Sequence, residues 1–254
     1  MLARGIRRSP IPLEVPTVLV FMKNRARQQS FGFMNRGGKR RGAGRKRTAE
    51  RPRVSHRARP KLSRHHPVLV TMRLRAGRPS LRCDAEHAIV RRALEESASE
   101  SFQVVHYTAQ SNHVHMLVEA KDARALSRGM NSLTVRLVRR LQKLWRRVIG
   151  RGAAGPVFDD RYHARILETP RAVRTAVCYV MQNGRKHRAW TARFADRYSS
   201  GDGFEGWSRE ERDPRAARSK TPWPRWVSRA RTWLLSIGWR KHGLIDPREV
   251  PASA

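Results

Sequence analysis

Residues 102–120 read FQVVHYTAQSNHVHMLVEA, two apolar runs on either side of the turn Ala109-Gln110-Ser111-Asn112. Runs rich in β-branched and aromatic residues, broken by a short polar turn, predict a pair of antiparallel strands over 102–108 and 113–120. In the second run Val114, Met116 and Val118 fall on one face and His113, His115 and Glu119 on the other, because side chains two apart on a strand point the same way. The apolar face supplies the burial. The opposite face carries two imidazoles at a spacing that lets both reach one metal ion. That spacing alone does not separate a metal site from two structural histidines.

Working outward from this hairpin, Val68, Val70, Met72 and Leu74 alternate over 67–74 and predict a strand. Asp84 serves as N-cap for a helix running to 97, with Ala88, Ile89, Ala93 and Leu94 on its apolar side. A longer helix over 123–148 repeats Leu126, Met130, Leu133, Leu137, Leu141 and Leu144 at three- and four-residue intervals and lines its other face with arginines. Gly150 to Pro156 ends it. A strand follows over 162–168, and Pro170 opens a helix that runs to 184. This order is that of an α+β, ferredoxin-like domain: an antiparallel sheet with helices on one face.

The last helix holds a residue that its amphipathic pattern does not explain. At 100° per residue Val173, Val177, Val180 and Met181 cluster, while Tyr179 turns away from them together with Thr175 and Asn183. Tyr179 is either a surface aromatic or a nucleophile aimed at a site. Asn183, one turn on, offers a neutral oxygen ligand to the same place.

The domain is flanked by segments of different texture. Residues 1–65 hold 19 of the 55 lysines and arginines and only two of the 20 acidic residues. With Gly37, Gly38, Gly42 and Gly44 among them, they read as a largely disordered basic arm. Residues 66–187 form the domain, and 188–254 a Trp/Arg-rich C-terminal extension that either packs back or presents stacking surfaces to bases. A net charge of +35 calls for a polyanionic partner, and nucleic acid fits. No run of eighteen apolar residues occurs, so no membrane span is expected. Two cysteines, Cys83 and Cys178, are too few for a zinc ribbon and read as free thiols of a cytoplasmic, nucleoid-associated protein.

Residues 66–186 resemble the single-tyrosine HUH transposases, in particular the REP-associated tyrosine transposases of bacteria. Ser111-Asn112-His113-Val114-His115 matches their His-hydrophobe-His motif, Gly155-Pro156-Val157-Phe158 with Arg161-Tyr162 the segment entering their fourth strand, and Tyr179-Val180-Met181-Gln182-Asn183 their Tyr-x-x-x-Asn helix. Family members often follow that asparagine with proline; here Gly184 stands instead, which alters how the helix ends. The resemblance implies Tyr179 as nucleophile, a divalent metal (Mg²⁺ or Mn²⁺) on His113, His115 and Asn183, and single-stranded or hairpin DNA as substrate, cut and rejoined through a 5′-phosphotyrosine. DNA contacts are expected of Arg41, Arg45, Lys46, Arg47, Arg136, Arg140, Arg161 and Lys186. Monomer and homodimer both stay open. Tyr107, Tyr162 and Tyr198 are weaker nucleophile candidates, and His163 reads as structural or phosphate-contacting. Glu119 reads as a solvated strand-end carboxylate. The competing reading is a non-catalytic or domesticated nucleic-acid-binding protein on the same fold.

Overall fold

The computed structural model describes residues 60–186, 195–208 and 223–251. All of them belong to one compact unit. Four strands, β1 (Val68–Arg73), β2 (Phe102–Ala109), β3 (His113–Ala120) and β4 (His163–Ile166), form one antiparallel sheet in the order β2-β3-β1-β4. The helices are α1 (Asp84–Ser97), α2 (Ala123–Ile149), α3 (Pro170–Lys186) and the single turn α4 (Trp233–Ser236). Asp84 is the first residue of α1 rather than its cap; Cys83 holds the N-cap position without a side-chain bond.

The domain is α+β with the expected ferredoxin-like core. Val68, Val70, Met72, Val114, Met116 and Val118 project to one face, where they meet Val90 and Leu94 of α1 and the Leu126, Met130, Leu133, Leu137 and Leu141 stripe of α2. The third helix adds a layer on the reverse face. Val173, Val177, Val180 and Met181 of α3 pack on Leu69, Val105 and Leu117, and outside them lie Phe204, Leu234, Leu235 and Trp239 of the extension. Between the two readings of the tryptophan-rich segment, its described part packs back. Trp239 is buried, and the Arg174–Glu249 ion pair ties the segment to α3. The extension also covers the outer edge of β2, where Ala109 N donates to Tyr198 O (2.8 Å) and Ser200 N to Tyr107 O (3.0 Å). A strand at a sheet edge, buried at all eight positions, is thereby closed to further pairing.

A helix-interior glycine normally weakens its helix, yet Gly129 sits in the middle of α2. A Cβ there would lie 2.1 Å from Cγ of Phe102, so the ring of β2's first residue occupies the space a side chain would need. Gly129→Ala is expected to cost about 2 kcal/mol through overpacking, against the gain in helix propensity. A midpoint in urea unchanged from wild type would refute the close contact.

Two histidines are enclosed by this packing. His106 is held between Phe204 and Trp223, and His87 bonds Tyr107 Oη through Nε2 at 2.9 Å. Burial pushes both down to about 3 from 6.5. Between those values the unfolded chain binds protons that the folded chain does not, so stability is complete above pH 6.5 and falls as pH drops toward 3. Thermal melts are expected to show a loss of about 1.4 kcal/mol per pH unit for each histidine within this window. A His106→Asn variant should show a shallower dependence; an equal slope would remove His106 from the account.

Candidate active site

The site lies on the α3 face of the sheet. Thr71 of β1 pairs with His115 of β3, and Arg73 with His113, so these four residues project together. Thr71 Oγ1 lies 2.8 Å from His115 Nδ1, which turns Nε2 toward α3. There it meets the hydroxyl of Tyr179 at 3.2 Å, with ring centroids 4.8 Å apart and the planes near perpendicular. The His113 and His115 rings stand edge to face at 4.6 Å. His113 Nδ1 lies 2.7 Å from Asn112 Oδ1. An amide oxygen only accepts, so Nδ1 is the donor and Nε2 of the neutral ring keeps its lone pair. Second partners of this kind fix ring orientation and tautomer in metal-binding histidines.

Asn183 is wholly buried one turn beyond Tyr179, and neither Oδ1 nor Nδ2 has a hydrogen-bond partner among the described residues. A buried amide left unpaired costs on the order of 1–3 kcal/mol, so it marks a place where a partner belongs. Lys186, two turns along α3, holds its ammonium 5.0 Å from the centre of the Tyr179 ring. The helix face that reads as polar in the sequence is therefore turned onto the sheet's histidines, not into water. Two imidazoles and one amide oxygen suit a divalent ion and leave its charge uncancelled. Among the described residues no group of three His, Cys, Asp or Glu side chains gathers at one point.

His113, His115, Tyr179 and Lys186 thus come together. Arg136 and Arg140 do not: both sit on α2, on the reverse face of the sheet, against Glu96 at 3.5 and 2.5 Å. Hydrogen bonds from Arg92 first, then Arg140, hold the Glu96 carboxyl down at about 2. Arg161 lies in the loop before β4, its N–H donating to Asp160 Oδ1 at 2.7 Å. Arg41, Arg45, Lys46 and Arg47 lie outside the described residues. Tyr107 is buried, and burial raises its hydroxyl to about 12; the thiol of Cys178, beside Tyr179 in sequence, is likewise pushed up to about 12. Neither suits nucleophilic attack near neutral pH. Glu119 is not solvated. Its two oxygens accept from Thr232 N, Thr232 Oγ1, Arg231 N and Gln103 Nε2, so it anchors the extension.

Sequence reasoning missed Thr71 and the bonding role of Asn112. Alternation in β1 places Thr71 opposite the Val70/Met72 face, but only the register shows that it meets His115. Among the described residues no helix is long and apolar enough to cross a membrane.

No curated protein matches the chain. Among solved structures it is similar to a REP-associated tyrosine transposase bound to a REP hairpin, at 15% identity over 58% of this chain and 82% of that one, with a TM-score of 0.43. Residues 68–183 match the family model described as "Transposase IS200 like", a span that opens on β1, takes in both histidines and Tyr179, and closes on Asn183. Residues 68–183, a little under half of the chain, are thus similar to the IS200-like transposases.

Proposed function

We propose that the domain is a metal-dependent DNA endonuclease and strand transferase that cuts and rejoins single-stranded or hairpin DNA through a covalent bond to Tyr179. The observation that carries this reading is the 3.2 Å approach of the Tyr179 hydroxyl to His115 Nε2, a helix residue meeting a strand residue across the buried face of the domain. The similarity of residues 68–183 to a transposase family supports it.

His113, His115 and Asn183 would hold Mg²⁺ or Mn²⁺, and the unpartnered amide of Asn183 fits that use. Once bound, such an ion draws charge from a non-bridging phosphate oxygen and stabilises the five-coordinate transition state. The rest of the work belongs to the chain. Thr71 and Asn112 hold the two rings in orientation. Packing of Val177, Val180 and Met181 fixes α3, and with it the Tyr179 oxygen, against the sheet. That oxygen attacks the scissile phosphorus and gives up its proton as the new O–P bond forms. The P–O3′ bond breaks, and the departing oxygen takes a proton to become a free 3′-hydroxyl. The downstream strand is left as a 5′-phosphotyrosine. Because one phosphodiester replaces another, a 3′-hydroxyl attacking the adduct reverses the step without a nucleotide cofactor. Lys186 adds positive charge beside the bound strand.

The test is a protein–DNA adduct. Labelled single-stranded hairpins, chosen from repeats flanking the gene, are incubated with the protein and Mn²⁺ and run on a denaturing gel. An adduct is expected, falling at least about 100-fold when a chelator is added. Tight binding with no adduct on any hairpin would favour the non-catalytic reading.

A further inference from the structure

The face that carries His115 continues past it toward the edge of the sheet. Thr71 pairs with His115 on one side and with His163 of β4 on the other, so His163 projects to the same face, one strand further out. In the next row Leu117, Leu69 and Arg165 align. Leu117 and Leu69 pack beneath α3, which places Arg165 on α3's side of the sheet. There Arg165 and Leu167 face Arg171, Ala172 and Thr175 of α3 across a cavity of about 270 Å³. Thr175 shares its helix face with Tyr179, one turn away, a rise of about 6 Å. The cavity, His163 and the nucleophile therefore follow one another along a single surface.

We propose that this groove, between the outer strand β4 and the first turns of α3, holds the length of single-stranded DNA that flanks the scissile phosphate. Arg165 and Arg171 bind its phosphates, and His163 contacts it where it approaches Tyr179. The assignment rests on the reading of the domain as a tyrosine DNA nuclease. Its own support is the state of the two arginines. Some arginines of the domain are held by carboxylates, Arg82 by Asp196, Arg140 by Glu96, Arg174 by Glu249 and Arg197 by Asp84, and exposed ones such as Arg128 and Arg139 sit on α2, across the sheet from Tyr179. Arg165 and Arg171 are exposed, and neither side chain makes an ion pair or hydrogen bond among the described residues. Two uncompensated guanidiniums facing one groove beside a phosphate-attacking residue suit a phosphodiester chain. No aromatic ring lines the cavity, so the contact is to the backbone and tolerates any sequence. The β2 edge, by contrast, is covered by the extension, which leaves the β4 side as the way out for the strand.

Binding reads the groove independently of the chemistry. Fluorescence anisotropy would follow the full chain and the variant Arg165→Ala/Arg171→Ala with three labelled hairpins: one bare, one with a 5′ single-stranded flank and one with a 3′ flank. The variant is expected to bind one flanked hairpin about 10-fold more weakly, with the salt slope reduced by about 0.7 for each lost contact. On the other two hairpins it should match the wild type. Arg165→Lys/Arg171→Lys should recover most of the loss, since a backbone phosphate needs the charge more than the fork. Equal affinity of wild type and alanine variant for all three, or an equal loss on all three including the bare hairpin, would overturn the groove. The adduct assay separates the two readings. Adducts from wild type with no flank-specific loss in the variant would reject the groove alone. A flank-specific loss without any adduct would reject Tyr179 chemistry and keep the groove.

Discussion

Tyr179→Phe is expected to abolish the covalent adduct, a loss on the order of 10⁴-fold or more, while leaving fold and hairpin binding in place. The substitution removes one oxygen and nothing else. Tyr179 is half-buried against His115, and its ring packs on the α3 layer that phenylalanine would fill equally well. The lost hydroxyl contact with His115 Nε2 is worth about 1 kcal/mol at most, so the melting temperature should move by only a few degrees. No neighbour can take over the attack. Tyr107 lies on the other face of the sheet, bonded to His87 and held at about 12, and Cys178 is buried with its thiol pushed equally high. Tyr198 belongs to the extension at the β2 edge, where its hydroxyl donates to Asp84 Oδ1 at 3.2 Å. The measurement is the adduct band on a denaturing gel, compared with hairpin affinity by anisotropy. A residual adduct within 100-fold of wild type would mean that another residue is the nucleophile.

Much of this site is readable from the sequence because it is built from short-range periodicity. The two-residue spacing of His113 and His115 fixes a shared face on any strand, and the four-residue spacing of Tyr179 and Asn183 does the same on any helix. What periodicity cannot give is which face of one element meets which face of another. Nothing in residues 170–184 alone says that the polar side of α3 lies inward, because an ordinary amphipathic helix turns that side to water. The sandwich of α3 between sheet and extension supplies the reason: the helix is covered on both sides, so its polar stripe becomes the wall of the site. The same limit hid a bulge in β2. Val104 pairs with Val118 and His106 with Leu117, so Val105 and His106 together oppose one residue of β3. Simple alternation through 102–109 would have sent Val105 and His106 to opposite faces. The arginines of α2 failed to converge on the site for an equally physical reason. Charge on a helix surface shows only that the surface is wet, and Arg136 and Arg140 lie across the sheet from Tyr179 with a carboxylate of their own.

Glu119→Ala is expected to be the most damaging single change to stability, at about 3–5 kcal/mol, or a fall of about 10 °C in melting temperature. Glu119 shares a face with His115, and from the sequence it reads as a strand-end carboxylate in solvent. In the folded chain it is only 5% exposed. Oε1 accepts from Thr232 N at 2.9 Å and Thr232 Oγ1 at 2.7 Å, and Oε2 from Arg231 N at 2.9 Å and Gln103 Nε2 at 2.6 Å. Removing the carboxylate strands these donors in a site that solvent does not reach, and each unmet donor carries a separate penalty. The effect should spread because α4 is one turn long and cannot hold itself together. Its start is fixed by Glu119 and by Thr232 Oγ1, which accepts from Leu235 N at 3.3 Å. Released from that anchor, Leu234, Leu235 and Trp239 lose their hold on α3, and α3 carries Tyr179. The adduct rate should therefore fall together with stability, although Glu119 touches neither the nucleophile nor its histidines. Glu119→Gln keeps the side chain's size and one acceptor oxygen but turns an NH₂ group toward other donors, so about half the loss is expected. Thermal melts followed by tryptophan fluorescence, run beside the adduct assay, decide the matter. A Glu119→Ala protein melting within 2 °C of wild type would show that the extension is held by its apolar contacts alone. A stable variant with a reduced adduct rate would instead place Glu119 in direct contact with the bound DNA.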